Sequence, residues 1–284
     1  MSPQPHIVIS NVTHTYRTSS GPLPVVHDLS LTIPKGGFTA VVGPSGCGKS
    51  TLTRLIAGLM MPDEGNVELA GTPVRSPRPT VGMAFQNPVL LEWRTILKNI
   101  LLPLEIVPTK LSRAEQRQRA VDLLALVGLS GFEDKRPSEL SGGMRQRASL
   151  CRALVHQPEV LILDEPFGAL DAFTREDLWQ TMLRLRKEEA FTGLLITHDL
   201  RESVFLADQI IVLSSRPTSA QRIFDVPLGA DRTLDDLYTP ETTALLAELR
   251  SEIEIAKSMS GPEIAANRSA RAHKTIATTV KEVA

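Results

Sequence analysis

Gly43-Pro44-Ser45-Gly46-Cys47-Gly48-Lys49-Ser50-Thr51 is the stretch that decides how this chain is read. It fits G-x-x-x-x-G-K-[ST], the loop that wraps a chain of phosphates. Glycines let the backbone fold closely, so its N–H groups turn inward toward an anion. A helix that follows adds the positive end of its dipole. In this pattern Lys49 reaches the β- and γ-phosphates, and the Ser50 hydroxyl ligates Mg²⁺. At average composition, four such fixed positions match by chance in about one sequence in a hundred of this length. The loop by itself fits an ATPase, a kinase or a GTPase equally.

The flanks agree with the loop. Phe38 to Val42 is a short apolar run, expected as a buried strand, and Ser50 to Leu59 has helical spacing. Further upstream, Ile7 to Ile9 and Leu29 to Ile33 read as strands, with Pro34-Lys35-Gly36-Gly37 as a turn. Gly65 to Leu69 and Gly82 to Phe85 are further strand candidates. Downstream of Asn87-Pro88 the period becomes helical, over Ala114 to Gly128 and again over Gly142 to His156, where Pro158 stops it. Val160 to Leu163 reads as a buried parallel strand. Thr174 to Glu189 reads as a helix, Gly193 to Thr197 as a strand, Leu200 to Ala207 as a helix and Gln209 to Leu213 as a strand. The alternation predicts a layered α/β core with a mostly helical insertion at about 87–157. Leu245 to Ile255 is expected as a last helix, and the polar stretch from Ser258 as a poorly ordered tail.

Composition excludes several classes. The chain has 284 residues, 42% apolar and 22% charged, which suits a soluble globular protein rather than a disordered one. A formal net charge of −1 supplies no basic field for nucleic acid. Two cysteines, Cys47 and Cys151, do not make a disulfide framework and point to a reducing compartment. Met1 to Ser10 lacks the basic-then-apolar order of a signal peptide. The apolar segment Ile96 to Val107 is broken by Lys98, Asn99, Pro103 and Glu105, so no membrane span is expected. Work at a membrane would be as a peripheral partner.

Two further segments carry chemistry. Val160 to Leu163 leads into Asp164 and Glu165; in phosphate-loop enzymes such an aspartate helps hold Mg²⁺, and the next carboxylate suits a base for water. Leu140-Ser141-Gly142-Gly143-Met144-Arg145-Gln146-Arg147 opens a predicted helix with a hydroxyl and free N–H groups facing an anion. Ser141 is equally a plain helix N-cap.

Taken in order, Tyr16, the phosphate loop, Gln86, Leu-Ser-Gly-Gly, Leu163 to Pro166, Gly168 to Asp171 and Thr197-His198-Asp199 resemble an ABC (ATP-binding cassette) transporter nucleotide-binding domain, over about residues 7–215. The resemblance implies a phosphate-loop NTPase fold with a RecA-like core, an antiparallel β subdomain and an inserted helical subdomain. It implies a nucleotide-binding domain at 1–228, a C-terminal helical extension at 229–257 and a tail at 258–284. It implies ATP and Mg²⁺ as ligands. ATP would lie on Gly43, Pro44, Ser45, Gly46, Cys47, Gly48, Lys49, Ser50 and Thr51, with Tyr16 stacked on adenine. Ser50, Gln86 and Asp164 would hold the metal. Glu165, His198 and Gln86 would form the catalytic group. Ser141, Gly142 and Gly143 would complete the site of a second copy in a head-to-tail dimer, joined through the aspartate Asp171.

The segments NPVLLEWRTILKNILLPLEI (87–106) and PFGALDAFTREDL (166–178) are similar to cassettes of the nitrate/sulfonate/taurine importer group. That implies integral membrane permease subunits as partners, a solute-binding protein as an indirect one, no nucleic acid, and a place on the cytoplasmic face of the inner membrane. An exporter subunit, or a soluble ABC ATPase, is the alternative. Leu90, Leu91 and Trp93 have two readings, a groove for a permease helix or the core of the helical subdomain. Cys47 sits inside the loop, so alkylation there is expected to inhibit and ATP to protect.

Overall fold

The computed structural model describes residues 4–258. Its centre is a six-stranded sheet. The chain enters through an antiparallel hairpin, β1 (Pro5–Thr18) and β2 (Gly21–Pro34), then β3 (Phe38–Val42), α1 (Lys49–Ile56), β4 (Glu64–Leu69), β5 (Thr72–Pro73) and β6 (Val81–Phe85). Three helices follow, α2 (Ile96–Ile106), α3 (Arg113–Leu126) and α4 (Gly142–Leu154). The chain continues through β7 (Val160–Asp164), α5 (Ala172–Glu188), β8 (Thr192–Ile196), α6 (Leu200–Leu206), β9 (Gln209–Leu213), β10 (Ala220–Asp225) and α7 (Pro240–Ser258). The tail expected from Ser258 lies beyond this point, outside the described residues.

The large sheet runs β10-β9-β3-β8-β7-β6, and the small one β2-β1-β4-β5. From β9 to β6 every pairing in the large sheet is parallel, and β10 adds an antiparallel edge. Parallel strands need cover on both faces, and the side chains alternate accordingly. Leu161 and Leu163 point into one apolar cluster, shared with the helices; Val160 and Ile162 point into the other, shared with α1 and the small sheet. Leu195 and Leu194, or Val212 and Ile211, divide the same way. This is the α/β phosphate-loop architecture expected, with an antiparallel β layer on one side.

The hairpin and the last helix extend beyond the sequence reading, while the broken apolar segment takes its place in the helical insertion expected at about 87–157. The hairpin strands run fourteen residues each, far beyond Ile7–Ile9 and Leu29–Ile33. Asn11 and Asp28 take positive φ and the register shifts there, so the two-residue alternation is interrupted while pairing continues. Of the broken segment, Ile96–Ile106 is a helix that carries Pro103 inside it, and Val107 is already extended. Asn99 does not break it: the fully buried amide accepts from Leu91 N and donates to the carbonyls of Leu91, Arg94 and Thr95. The last helix begins at Pro240, five residues early, because proline fits a first turn whose N–H has no partner to lose.

Candidate active site

Register sets the site. Val41 of β3 lies level with Ile196 of β8, Ile196 with Asp164 of β7, and Asp164 with Phe85 of β6. On the other side Val41 is level with Ile211 of β9. The residues that follow these five positions emerge together at the C-terminal edge of the sheet, where α/β folds bind ligands. They are the phosphate loop, His198, Glu165, Gln86 and the turn after Leu213. Because β8 stands between β3 and β7, the loop and the carboxylates are two strand spacings apart, about 10 Å. That gap accommodates a phosphate and a water.

A cavity of about 540 Å³ opens there. Ser45, Gly46, Gly48, Lys49, Ser50 and Thr51 form its floor, Tyr16, Leu23 and Val25 one wall, and Glu165, His198 and Arg216 the rest. The loop closes through Gly46 and Gly48, at φ 71° and 115°. A Cβ on Gly48 would stand 2.8 Å from Val25 Cγ1, so this position also needs glycine for space. Lys49 is buried, and its ammonium donates to the Gly43 and Pro44 carbonyls at 2.9 and 3.0 Å. An ammonium has three donors, so one remains to point into the cavity.

Asp164 receives hydrogen bonds from Ser50 and, at 3.5 Å, from the Thr53 hydroxyl. Burial first, and the adjacent Glu165 second, push its carboxyl above the usual range against those bonds and Arg54. A divalent cation beside Ser50 and Asp164 would relieve that strain by favouring the charged form. Glu165 has φ 51°, a left-handed backbone that costs a side-chain-bearing residue about 1–2 kcal/mol. Its N–H donates to Ile196 O and its carbonyl accepts from Gly168 N, which hold the turn. The carboxylate thereby reaches His198, with Oε2 3.3 Å from Nδ1.

Gln86 borders this group without lining the main cavity. A Cβ on Gly168 would lie 3.2 Å from Gln86 Nε2 and 3.6 Å from His198 Cε1. Glycine there lets the amide, the imidazole and the Glu165 carbonyl converge. Tyr16 joins through its hydroxyl, 3.2 Å from Thr51 Oγ1, and packs edge-on to His14.

Ser141, Gly142 and Gly143 are not in the cavity wall. Ser141 caps α4, its hydroxyl oxygen accepting from Met144 N at 3.3 Å. A Cβ on Gly143 would meet Thr174 Cγ2 at 2.5 Å, so α4 and α5 touch there. Asp171 caps α5, accepting from Thr174 N at 3.1 Å and from its hydroxyl at 2.7 Å. Those two bonds pull its carboxyl below the ordinary value. Gln86, Asn87 and Gly142 share a second cavity, of about 370 Å³.

The expectation for Cys47 is corrected. Its thiol lies in the apolar cluster below the loop, 2% exposed, against Gly43. Burial raises its pKa over the opposing influence of Lys49. The thiol faces away from the cavity, so ATP has nothing to protect. For the segment after Gln86 the two readings divide by residue: Leu90 packs against the core, whereas Trp93 is 73% exposed.

Arg216, Leu23 and Val25 were missed by sequence reasoning. The two apolar residues look like ordinary strand positions. Arg216 stands in a Ser-Ser-Arg-Pro-Thr turn with the composition of any solvent loop.

A model described as ABC transporter matches residues 26–168. The chain is similar to a bicarbonate transport ATP-binding protein of Synechocystis, 41% identical over 83% of this chain and 84% of that one. It is 43% identical to a nitrate import ATP-binding protein of Synechococcus elongatus, over 78% of this chain and 81% of the relative. Among solved structures it is similar to a dimeric ATP-binding cassette in a post-hydrolysis state, bound to ADP and Pi. That match has TM-score 0.69 and 30% identity, over 78% of this chain and 100% of that one.

Proposed function

The chain belongs to the ABC transporter family as an ATP-hydrolysing cassette, and on that premise we propose that it drives import of a small solute, with nitrate or bicarbonate-like anions as the first candidates. The observation that carries this reading is the level row Val41, Ile196, Asp164 and Phe85, which sets the loop, His198, Glu165 and Gln86 at one edge. The named cargoes of the relatives support the solute class.

Each residue then has a task. The amides of Gly43–Thr51 and the Lys49 ammonium hold the β- and γ-phosphates. Ser50 and Asp164, with Gln86, hold Mg²⁺, whose charge favours the ionised Asp164 and offsets that of the phosphates. Among the described residues no three His, Cys, Asp or Glu side chains converge as a metal set, which suits an ion ligated largely by phosphate and water. Tyr16 stacks on adenine. Glu165 takes the proton from the attacking water, and His198 fixes the carboxylate and meets the γ-phosphate. Ser141–Gly143 serve the loop of a second copy, in a dimer organised about Asp171. The dimeric cassette among the similar structures supports that assembly.

Among the described residues no helix is long and apolar enough to cross a membrane, so contact with the bilayer falls to permease subunits. Exposed Val89 and Trp93 next to Gln86 are the surface for them. On this reading the chain works at the cytoplasmic face of the membrane, as a peripheral subunit.

The test is Glu165→Gln. Removal of a general base costs about 10²–10⁴-fold in rate. The variant should bind MgATP as the wild type does, lose hydrolysis by about that factor, and elute as a dimer when ATP is present. Hydrolysis at the wild-type rate would remove Glu165 from the mechanism. For import, co-purification with a permease and stimulation by a loaded binding protein is the expected result.

A further inference from the structure

Four of the five parallel strands end in residues of recognised motifs; β9 ends in a turn that none of them covers. We propose that Arg216, on that turn, is a phosphate-binding residue of the nucleotide site, and that the end of α7 positions it. The proposal rests on the reading of the cavity as an ATP site. Ile211 is level with Val41, so the chain after Leu213 leaves the sheet at the same edge as the phosphate loop. Arg216 lines the cavity, and its Nη2 is 3.6 Å from the point a Cβ on Gly46 would occupy. Among the described residues its guanidinium has no hydrogen-bond or ion-pair partner. Lys49 sits within the loop, on the carbonyls of Gly43 and Pro44; Arg216 stands on the other side, beside Gly46. A guanidinium there presents a planar pair of donors to phosphate oxygens that the loop amides hold from below.

The turn is a strap with three anchors. It closes on itself, Ser214 N donating to Ser219 O at 3.0 Å and Ser219 N to Ser214 Oγ at 2.9 Å. Thr218 ties it to the loop, its hydroxyl donating to Cys47 O while its N–H donates to Val25 O at 2.8 Å. Ser215 ties it to the last turn of α7: its N–H donates to Ala256 O at 3.0 Å, and its hydroxyl reaches the carbonyls of Ala256 and Lys257 at 2.9 and 3.2 Å. Carbonyls at a helix C-terminus lack intrahelical partners, so these bonds fix helix and strap together. Arg216 lies between the Ser215 and Thr218 anchors.

Titration of full-length protein with a fluorescent ATP analogue, with Mg²⁺, tests this. Charge-assisted hydrogen bonds of this kind are worth about tenfold in affinity. Arg216→Ala should raise Kd and KM for ATP by about that factor and flatten the dependence of Kd on salt; Arg216→Lys should recover part of both. Ser215→Ala, which spares Arg216, should raise KM by a smaller factor at constant kcat and Tm. An unchanged Kd and salt slope in Arg216→Ala overturns the binding role. An unchanged KM in Ser215→Ala, or a fall in kcat and Tm in its place, overturns the positioning role. If the wild type itself failed to bind the analogue, the ATP site would fall instead, and Lys49→Ala, run alongside, would show no loss.

Discussion

Two helices of this molecule begin in glycine-rich turns, and they begin differently. The side chains of Thr95, Ser112, Ser141, Asp171 and Asp199 cap α2, α3, α4, α5 and α6. At α1 the cap is Gly48, with no side-chain hydrogen bond. Its first N–H groups face a cavity that also holds Lys49, Arg216, His198 and the Glu165 carboxylate. At α4 the Ser141 oxygen already accepts from the helix it starts, and no residue of that turn reaches the cavity. One terminus is surrounded by the machinery for a triphosphate. The other lies outside that cavity, where the proposed dimer would set it against the loop of a second copy. Anion affinity therefore depends on what converges on a helix start, beyond the dipole that every helix has.

The largest effect should come from stripping the first terminus. Lys49→Ala removes the ammonium beside the developing phosphate charge, and hydrolysis should fall by about 10²-fold or more, with weaker nucleotide binding. Near-normal turnover in a phosphate-release assay would make the two termini equivalent after all. The second terminus is probed by Gly143→Ala. The new Cβ meets Thr174 Cγ2 at 2.5 Å, so overpacking should cost about 1–3 kcal/mol. Hydrolysis should drop while the single chain still binds ATP. Adding Thr174→Ser, which deletes that methyl, should return much of the lost Tm; no recovery would mean the contact is not what constrains Gly143.

A third helix start sharpens the contrast. In α6, Glu202 is 2% exposed and its Oε1 has no partner among the described residues. Burial first, then Asp199, raises its carboxyl well above the usual range, against the Thr197 hydrogen bond and Arg175. Unfolded, this group ionises near the ordinary value of about 4.3; folded, it keeps its proton to higher pH. The folded state binds the extra proton through that window, so stability falls as pH rises through it. Glu202→Gln should gain on the wild type in Tm from pH about 5 upward, and a difference independent of pH would refute the shift. The smallest effect concerns the thiols, one just before α1 and one near the end of α4. Cys47 and Cys151 are both buried with raised pKa, so a maleimide should label neither before unfolding, with or without ATP.

These contrasts also show what sequence could carry. The phosphate loop, Asp164-Glu165 and Ser141–Gly143 were legible because their chemistry uses consecutive residues at fixed spacing. The central strands were legible because both faces are buried, which writes unbroken apolar runs. Arg216 was not, since its place comes from the register of β9 against β3, a relation between segments 170 residues apart in which no local pattern takes part. The length of the hairpin was hidden by positive-φ residues at Asn11 and Asp28. The direction of the Cys47 side chain was hidden because adjacent loop residues face opposite ways, one into the core and one outward.

The separation of Ser141–Gly143 from the cavity has a consequence for inheritance. In the head-to-tail pair proposed above, each chain would lend its phosphate loop to one site and its Ser141–Gly143 turn to the other. A chain crippled at Lys49 and a chain crippled at Gly143 are each inactive with themselves. Paired, they place both defects in one site and leave the other wholly intact. A cell carrying both alleles can regain transport that neither allele supports alone, whereas a single allele with both lesions, paired with a healthy chain, spoils both sites and behaves as a dominant poison.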